Sequence, residues 1–292
     1  MRIFITGSSG LLGSKIAEVG LERGYEVYSG FFSHKPDFGE PIKFNLLDKE
    51  LINREMKRIQ PDVVLHTAAL TDVDGCEREK ELAFRINVEG ARAVAYAVKE
   101  IGSFLIYAST DYVFDGRRGF YREYDETNPI NYYGYTKLRG EEYCRDFCIA
   151  RTCVIYGAKP ASGKTNFALW LVNSLQNGKE VRVVTDQFVT PTLNTNLAEM
   201  MLEIAEKGIR GIFHLAGATR VSRFEFAQAL ADIFGFDREL IIPSSMKDMK
   251  WIAERPADSS LNTSKASDLL QNKPYNLEKA LRTLKEEIEA DN

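Results

Sequence analysis

The sequence predicts an α/β fold, a doubly wound parallel sheet with a smaller, interleaved C-terminal lobe. Three observations carry that expectation. Short apolar, β-branched runs alternate with segments of helical periodicity through the first half of the chain, the order that builds a parallel sheet covered on both faces. A cluster of glycines falls where the first run meets the first helical segment. The second half is less regular, and neither a repeat nor a low-complexity linker sets it apart from the first.

Taken in order, Ile3-Phe4-Ile5-Thr6 is the first strand, and Leu12, Ile16 and Val19 then recur at helical spacing as far as Gly24. Residues 26–29 give a strand, 48–59 a helix, and Val63-Val64-Leu65-His66 a third strand. Val88, Ala91, Ala95 and Val98 mark one face of a helix, and Phe104-Leu105-Ile106-Tyr107 is a strand followed by a long loop. A helix is expected over 133–147, with Cys144 and Cys148 on one of its faces, and a strand over 149–152. Beyond it, 167–176 reads as a helix, 181–184 as a strand, and Leu197, Met200, Met201 and Ile204 as an apolar helix face. Residues 211–214 return to the main sheet, Ser222 and Glu225 form a capping box, and Leu277, Leu281, Leu284 and Ile288 close the chain with a helix. This order assigns 1–157, with about 189–216, to a Rossmann-type domain, and about 158–188 and 217–292 to a substrate lobe.

Composition narrows the class. The 292 residues are 44% hydrophobic and 27% charged, which suits a soluble globular protein. A net charge of −4 argues against a general nucleic-acid binder. No apolar run is long enough to span a bilayer, and the first residues read as a strand rather than a signal peptide, so a cytoplasmic location is expected. The cysteines Cys76, Cys144, Cys148 and Cys153 form no CxxC pair and only three histidines accompany them, so no metal site is expected.

The glycine cluster, Gly7-Ser8-Ser9-Gly10-Leu11-Leu12-Gly13, has the spacing GxxGxxG between a strand and a helix. A tight turn at Gly7 and the missing side chain at Gly10 let a pyrophosphate approach the backbone, and Gly13 lets the helix pack closely. The helix N-terminus then offers N–H groups and positive dipole to the phosphates. An acid ending the second strand would favour NAD(H). Here the run is Phe31-Phe32-Ser33-His34-Lys35; Ser33, His34 and Lys35 suit a 2′-phosphate and favour NADP(H), with NAD(H) still compatible.

Tyr133 and Lys137 lie at i,i+4, on one face of a helix. A tyrosine hydroxyl titrates near pH 10, and a neighbouring ammonium favours its phenolate and brings it toward acid–base work. Ser109-Thr110-Asp111-Tyr112 follows a strand, at the edge where doubly wound sheets collect their ligand. Each pattern alone is common; the glycine turn, post-strand hydroxyl and YxxxK together are specific.

That combination resembles the extended short-chain dehydrogenase/reductases, and more narrowly the dTDP-4-dehydrorhamnose reductase family. Ser109–Gly116, Asn128-Pro129, Asn131, Gly140-Glu141, Pro191-Thr192, Arg255-Pro256 and Leu261-Asn262-Thr263 extend the likeness over nearly the whole chain. The resemblance implies hydride transfer to a C4 ketone of a nucleotide-linked sugar, with Tyr133 donating the proton. It has Lys137 binding the nicotinamide ribose, Thr110 polarising the carbonyl, and Asn45 and Leu46 at the adenine end. Ala68 and Ala69 line the cofactor and Asn87 is a structural asparagine beside it. Thr71, Asp72, Val73 and Asp111 approach the substrate, and Arg255 serves its diphosphate. Dimers are common in this class.

One departure concerns the sugar. Rhamnose-forming members carry a tryptophan after the Arg-Thr pair that ends a strand, where Arg151-Thr152-Cys153-Val154 has Val154. The same motifs also resemble the NADP-binding regulatory subunit of methionine adenosyltransferase, and a nucleotide-sugar epimerase or dehydratase stays open. Dehydratases usually have an acidic pair after the threonine; here Tyr112 follows Asp111.

Overall fold

The computed structural model describes residues 1–290. Its centre is a seven-stranded sheet of β1 (Arg2–Thr6), β2 (Glu26–Phe31), β3 (Glu40–Lys43), β4 (Val63–His66), β5 (Phe104–Thr110), β6 (Cys148–Thr152) and β7 (Gly211–His214). The strands run parallel in the order β7-β6-β5-β4-β1-β2-β3. The chain winds outward from β1 to β3, then returns to the other side of β1 at β4. Order therefore reverses between β1 and β4, and a crevice opens outside their C-terminal ends. Thr6 pairs with both Gly30 and His66, so three strands finish level at that crevice.

Period-two alternation divides the apolar strands between two cores. Ile3, Ile5, Val63 and Leu65 face α1 (Leu11–Glu22) and α6 (Asn194–Lys207), whereas Phe4 and Val64 face α2 (Lys49–Ile59) and α3 (Gly90–Glu100). Burial on both faces explains why these strands read as continuous apolar runs. A third cluster joins α5 (Phe167–Gln176), α7 (Arg223–Phe234) and α8 (Leu277–Ala290) beside a parallel pair, Val181–Val184 with Ile241–Ser244. The capping box opens α7: Ser222 Oγ accepts from the Glu225 N–H at 3.0 Å, and Glu225 Oε2 from the Ser222 N–H at 2.6 Å.

Two local expectations are corrected, and one strand was not anticipated. The helix expected over 133–147 is α4 (Tyr132–Glu141), which stops six residues early; Cys144 lies in the following turns and Cys148 in β6. The cause is tertiary, because Glu141 turns inward to an ion pair with Arg151. The helix marked by Val88 begins with a π-helical turn, Arg85–Glu89, ahead of α3. β3 had no apolar run to announce it, since only Ile42 of its residues is buried and Pro41 suits an edge strand.

Candidate active site

The crevice is a cleft of about 840 Å³ lined by both halves of the chain. At one end lies the glycine turn. Gly7 has φ +70°, and a Cβ there would stand 2.8 Å from Ala68 Cα. A Cβ on Gly13 would stand 2.3 Å from the Gly7 carbonyl oxygen, so only glycine lets α1 pack against the turn. α1 opens at Gly10 with no side-chain cap and no acid in its first turn, which leaves its N–H groups and dipole to an anion. This cradle fits a dinucleotide diphosphate. Ser162 reaches across from the other half, its hydroxyl donating to the Ser9 carbonyl at 2.8 Å.

The remaining wall residues fall into place around it. Gly7, Ser9, Gly10, Leu11, Leu12, Gly13, Ala68 and Ala69 line the diphosphate end, and Phe31, Ser33, Asn45 and Leu46 line the far end with Phe32 and Leu47. His34 and Lys35 are not on the wall; His34 Nδ1 lies 2.9 Å from Ser33 Oγ. Lys43, which the sequence did not single out, stands 5.3 Å from the Phe31 ring and 5.5 Å from the Phe32 ring. Asn87 is buried behind the wall. Its amide holds both backbone groups of Leu70, at 2.8 and 3.0 Å, and donates to Thr136 Oγ1 at 3.0 Å, tying the loop after β4 to α4.

At the Tyr133 end, Asn131 caps α4 by accepting from the Gly134 N–H at 2.8 Å while its own amide donates to the Glu254 carbonyl at 2.9 Å. That cap sets Tyr133 and Lys137 on the cleft wall. Lys137 is 3% exposed, with its ammonium 4.1 Å from the centre of the Tyr107 ring. Burial lowers its pKa to about 8. Burial also raises the Tyr133 pKa above its ordinary value, and a hydrogen bond with Thr110 offsets only part of the rise. Charge reasoning from the sequence has Lys137 easing Tyr133 toward phenolate. In the structure desolvation dominates and Tyr133 keeps its proton at neutral pH.

Thr110 Oγ1 donates to Asp111 Oδ1 at 3.0 Å and accepts from the Tyr112 N–H at 3.2 Å. The buried Asp111 carboxylate also accepts from Ser259 Oγ at 2.5 Å and Cys153 Sγ at 3.1 Å, and burial raises its pKa. Thr71, Val73 and Asp111 share the wall with Thr110. Asp72 and Arg255 do not. Asp72 lies 3.4 Å from Arg78, and Arg255 pairs with Asp74 at 2.9 Å and donates to the Ala253 carbonyl at 2.9 Å. The diphosphate contact expected of Arg255 thus finds its guanidinium already engaged by Asp74.

Sequence reasoning missed Leu82, Ile86, the stretch Ala161, Ser162, Lys164, Thr165 and Asn166, and Arg223, all on the wall. Asn166 had a readable signal, since it caps α5 by accepting from the Leu169 N–H at 3.2 Å. Val154, which replaces the family's aromatic, is on the wall with φ +42°, a left-handed conformation that β-branched residues rarely adopt.

The reversed parallel sheet, the glycine turn at its switch point and the Tyr–Lys pair beside a post-strand threonine define an extended short-chain dehydrogenase/reductase. Within that class the chain belongs to the family of the RmlD substrate binding domain, whose model matches residues 1–289. It is 36% identical over 271 residues to the probable low-salt glycan biosynthesis reductase Agl14 of Haloferax volcanii, covering 90% of each chain. It is 32% identical over 276 residues to methionine adenosyltransferase 2 subunit beta of Danio rerio, covering 90% of this chain and 83% of that one. Among solved structures it superposes on the dTDP-4-dehydrorhamnose reductase of Bacillus anthracis in complex with NADP, with a TM-score of 0.87 and 29% identity, over 98% of this chain and 99% of that one.

Proposed function

We propose that the protein is an NADPH-dependent reductase that converts the C4 keto group of a nucleotide-linked 6-deoxy sugar to an alcohol. The observation that carries this reading is Tyr133 sharing the cleft wall with Thr110 at the mouth of β5, one helical turn from the buried Lys137 ammonium. Bound NADPH supplies the hydride; NADH is the alternative donor. Tyr133 delivers its proton to the carbonyl oxygen as the alcohol forms, which is why a phenol kept neutral by burial suits reduction. The hydrogen bond between Thr110 and the Tyr133 phenol orients the phenol, and Asp111 braces Thr110 from the other side. Lys137 holds ribose hydroxyls and compensates the charge left as the Tyr133 proton departs. On this reading 1–157 with about 189–216 holds the dinucleotide, and about 158–188 with 217–292 holds the sugar nucleotide.

A cofactor-binding regulatory subunit is the second reading, favoured by the likeness to the Danio rerio protein. Against it, α8 is committed to its own core, with Ala280, Leu281 and Leu284 buried, rather than offered to a partner. The test is NADPH and NADH oxidation with dTDP-4-keto-6-deoxymannose, beside a Tyr133→Phe variant whose cofactor affinity is measured separately. Turnover in the wild type, lost in a variant that still binds NADPH, supports the reductase. Tight NADPH binding with no turnover of that sugar or its epimers favours the regulatory reading.

A further inference from the structure

The cleft wall carries a single acid among the described residues, Asp111, and three cations, Lys137, Lys164 and Arg223. Lys137 is bound into the catalytic pair. Lys164 belongs to the small hairpin whose Ser162 closes on Ser9, on the side of the glycine turn. Arg223 is left, at the other end.

Its position is built rather than incidental. Arg223 is the first residue of α7, directly inside the Ser222–Glu225 capping box. Its backbone N–H donates to the Gln187 carbonyl at 3.1 Å, and its guanidinium lies 3.4 Å from Gln187 Oε1 and 4.9 Å from the centre of the Phe167 ring. Those contacts fix one edge and one face of a planar group. Among the described residues no carboxylate lies within ion-pair distance of it, although its charge is felt at Asp111 and Tyr112. A half-buried guanidinium, held by neutral partners and aimed into a cleft, is short of an anion.

Resting on the reductase reading, we infer that Arg223 binds the phosphate of the nucleotide sugar nearest the sugar and so registers the keto carbon against Tyr133. A sugar nucleotide brings at least two negative charges into the cleft. Arg255, which the sequence suggested for them, is neutralised by Asp74. The fork of Arg223 can meet two phosphoryl oxygens at once, which the ammonium of a lysine cannot. Arg223 is therefore a positioning and specificity residue that acts on substrate and takes no proton.

The test compares wild type, Arg223→Gln and Arg223→Lys, each saturated with NADP and titrated calorimetrically with dTDP, dTMP and thymidine. Loss of one charge-assisted, bidentate contact should weaken dTDP binding on the order of 10- to 100-fold in Arg223→Gln. dTMP and thymidine should change little, NADP affinity should stay at the wild-type value, and Arg223→Lys should recover part of the loss. Thermal midpoints guard against misfolding, because the capping box survives both changes. Unchanged dTDP affinity in Arg223→Gln overturns the inference and leaves the reductase reading standing. So does an equal loss for dTMP, or a loss of NADP instead. If the wild type binds neither dTDP, UDP nor GDP and turns over no sugar nucleotide, the reductase reading fails and the inference with it.

Discussion

Replacing Arg151 with methionine removes one half of a buried ion pair under the catalytic edge of the sheet. Arg151 in β6 donates to both carboxylate oxygens of Glu141, at 2.9 and 2.7 Å, and the two side chains are 3% and 5% exposed. Ser109 Oγ adds a third donor to Glu141 at 2.6 Å. In Arg151→Met, Glu141 keeps only that hydroxyl as a donor, and its charge loses its paired counterion at a site closed to water. Stranding one member of such a pair costs about 3–5 kcal/mol, a large part of the roughly 5–15 kcal/mol that holds a typical domain. The thermal midpoint should fall by roughly 6–15 °C. Glu141 ends α4, so Tyr133 and Lys137 should lose their register and kcat should drop as well. The decisive comparison is the double variant Glu141→Met/Arg151→Met. With both charges gone, only Ser109 is left wanting a partner, at about 1 kcal/mol, so the double variant should be more stable than Arg151→Met alone. Urea unfolding at pH 7 without cofactor measures all three. A double variant no more stable than the single one, or a single variant that loses less than about 1 kcal/mol, refutes the desolvation argument.

Lys137→Met should abolish turnover yet raise stability at pH 7, because it removes a buried ammonium; equal or lower urea midpoints would contradict this. The sign follows from the pKa of about 8 in the folded chain against an ordinary 10.5: the folded state releases its proton first, so the penalty is present below pH 8 and is relieved as pH rises toward 10.5. In the wild type kcat/KM should fall above pH 8 as the ammonium is lost, and a flat profile to pH 9.5 would exclude Lys137 as the titrating group. Gly13→Ala drives a Cβ to 2.3 Å from a backbone oxygen; a cost of about 1–3 kcal/mol or more is expected, read as weakened NADPH binding in a fluorescence titration. His66 and His214 are buried and held neutral, with pKa values near 3 against 6.5 unfolded. The unfolded chain takes up their protons first, so each should subtract stability as pH falls from 6.5 toward 3, and His66→Gln should flatten that slope in urea midpoints between pH 7 and 5.

What the sequence made legible was whatever local pattern determines. Strands buried on both faces announce themselves as apolar runs, a glycine turn as spacing, α7 as Ser222 followed by Glu225. The early end of α4 was not legible, because its last residue, Glu141, is tied to Arg151 in β6, a pairing that no local pattern announces. Arg255 and Arg223 show the same limit at the site. Both are arginines near the substrate end, and the sequence motif favoured the first. Only the fold reveals that Asp74 occupies Arg255 while Arg223 meets no carboxylate among the described residues. The family of motifs located the cleft; the long-range pairings decide which side chains are free within it.

The Asp111–Ser259 contact also bears on how the protein is made. Ser259 lies 148 residues downstream of Asp111, and its neighbour Ser260 accepts from the Phe120 N–H at 2.8 Å. During synthesis the strands that form the dinucleotide cleft leave the ribosome first and can begin to fold. The carboxylate against Thr110 waits for its partner until nearly the whole chain has emerged. The carboxylate that braces Thr110 is therefore completed by a segment made late in synthesis, well after the glycine turn and the strands around it.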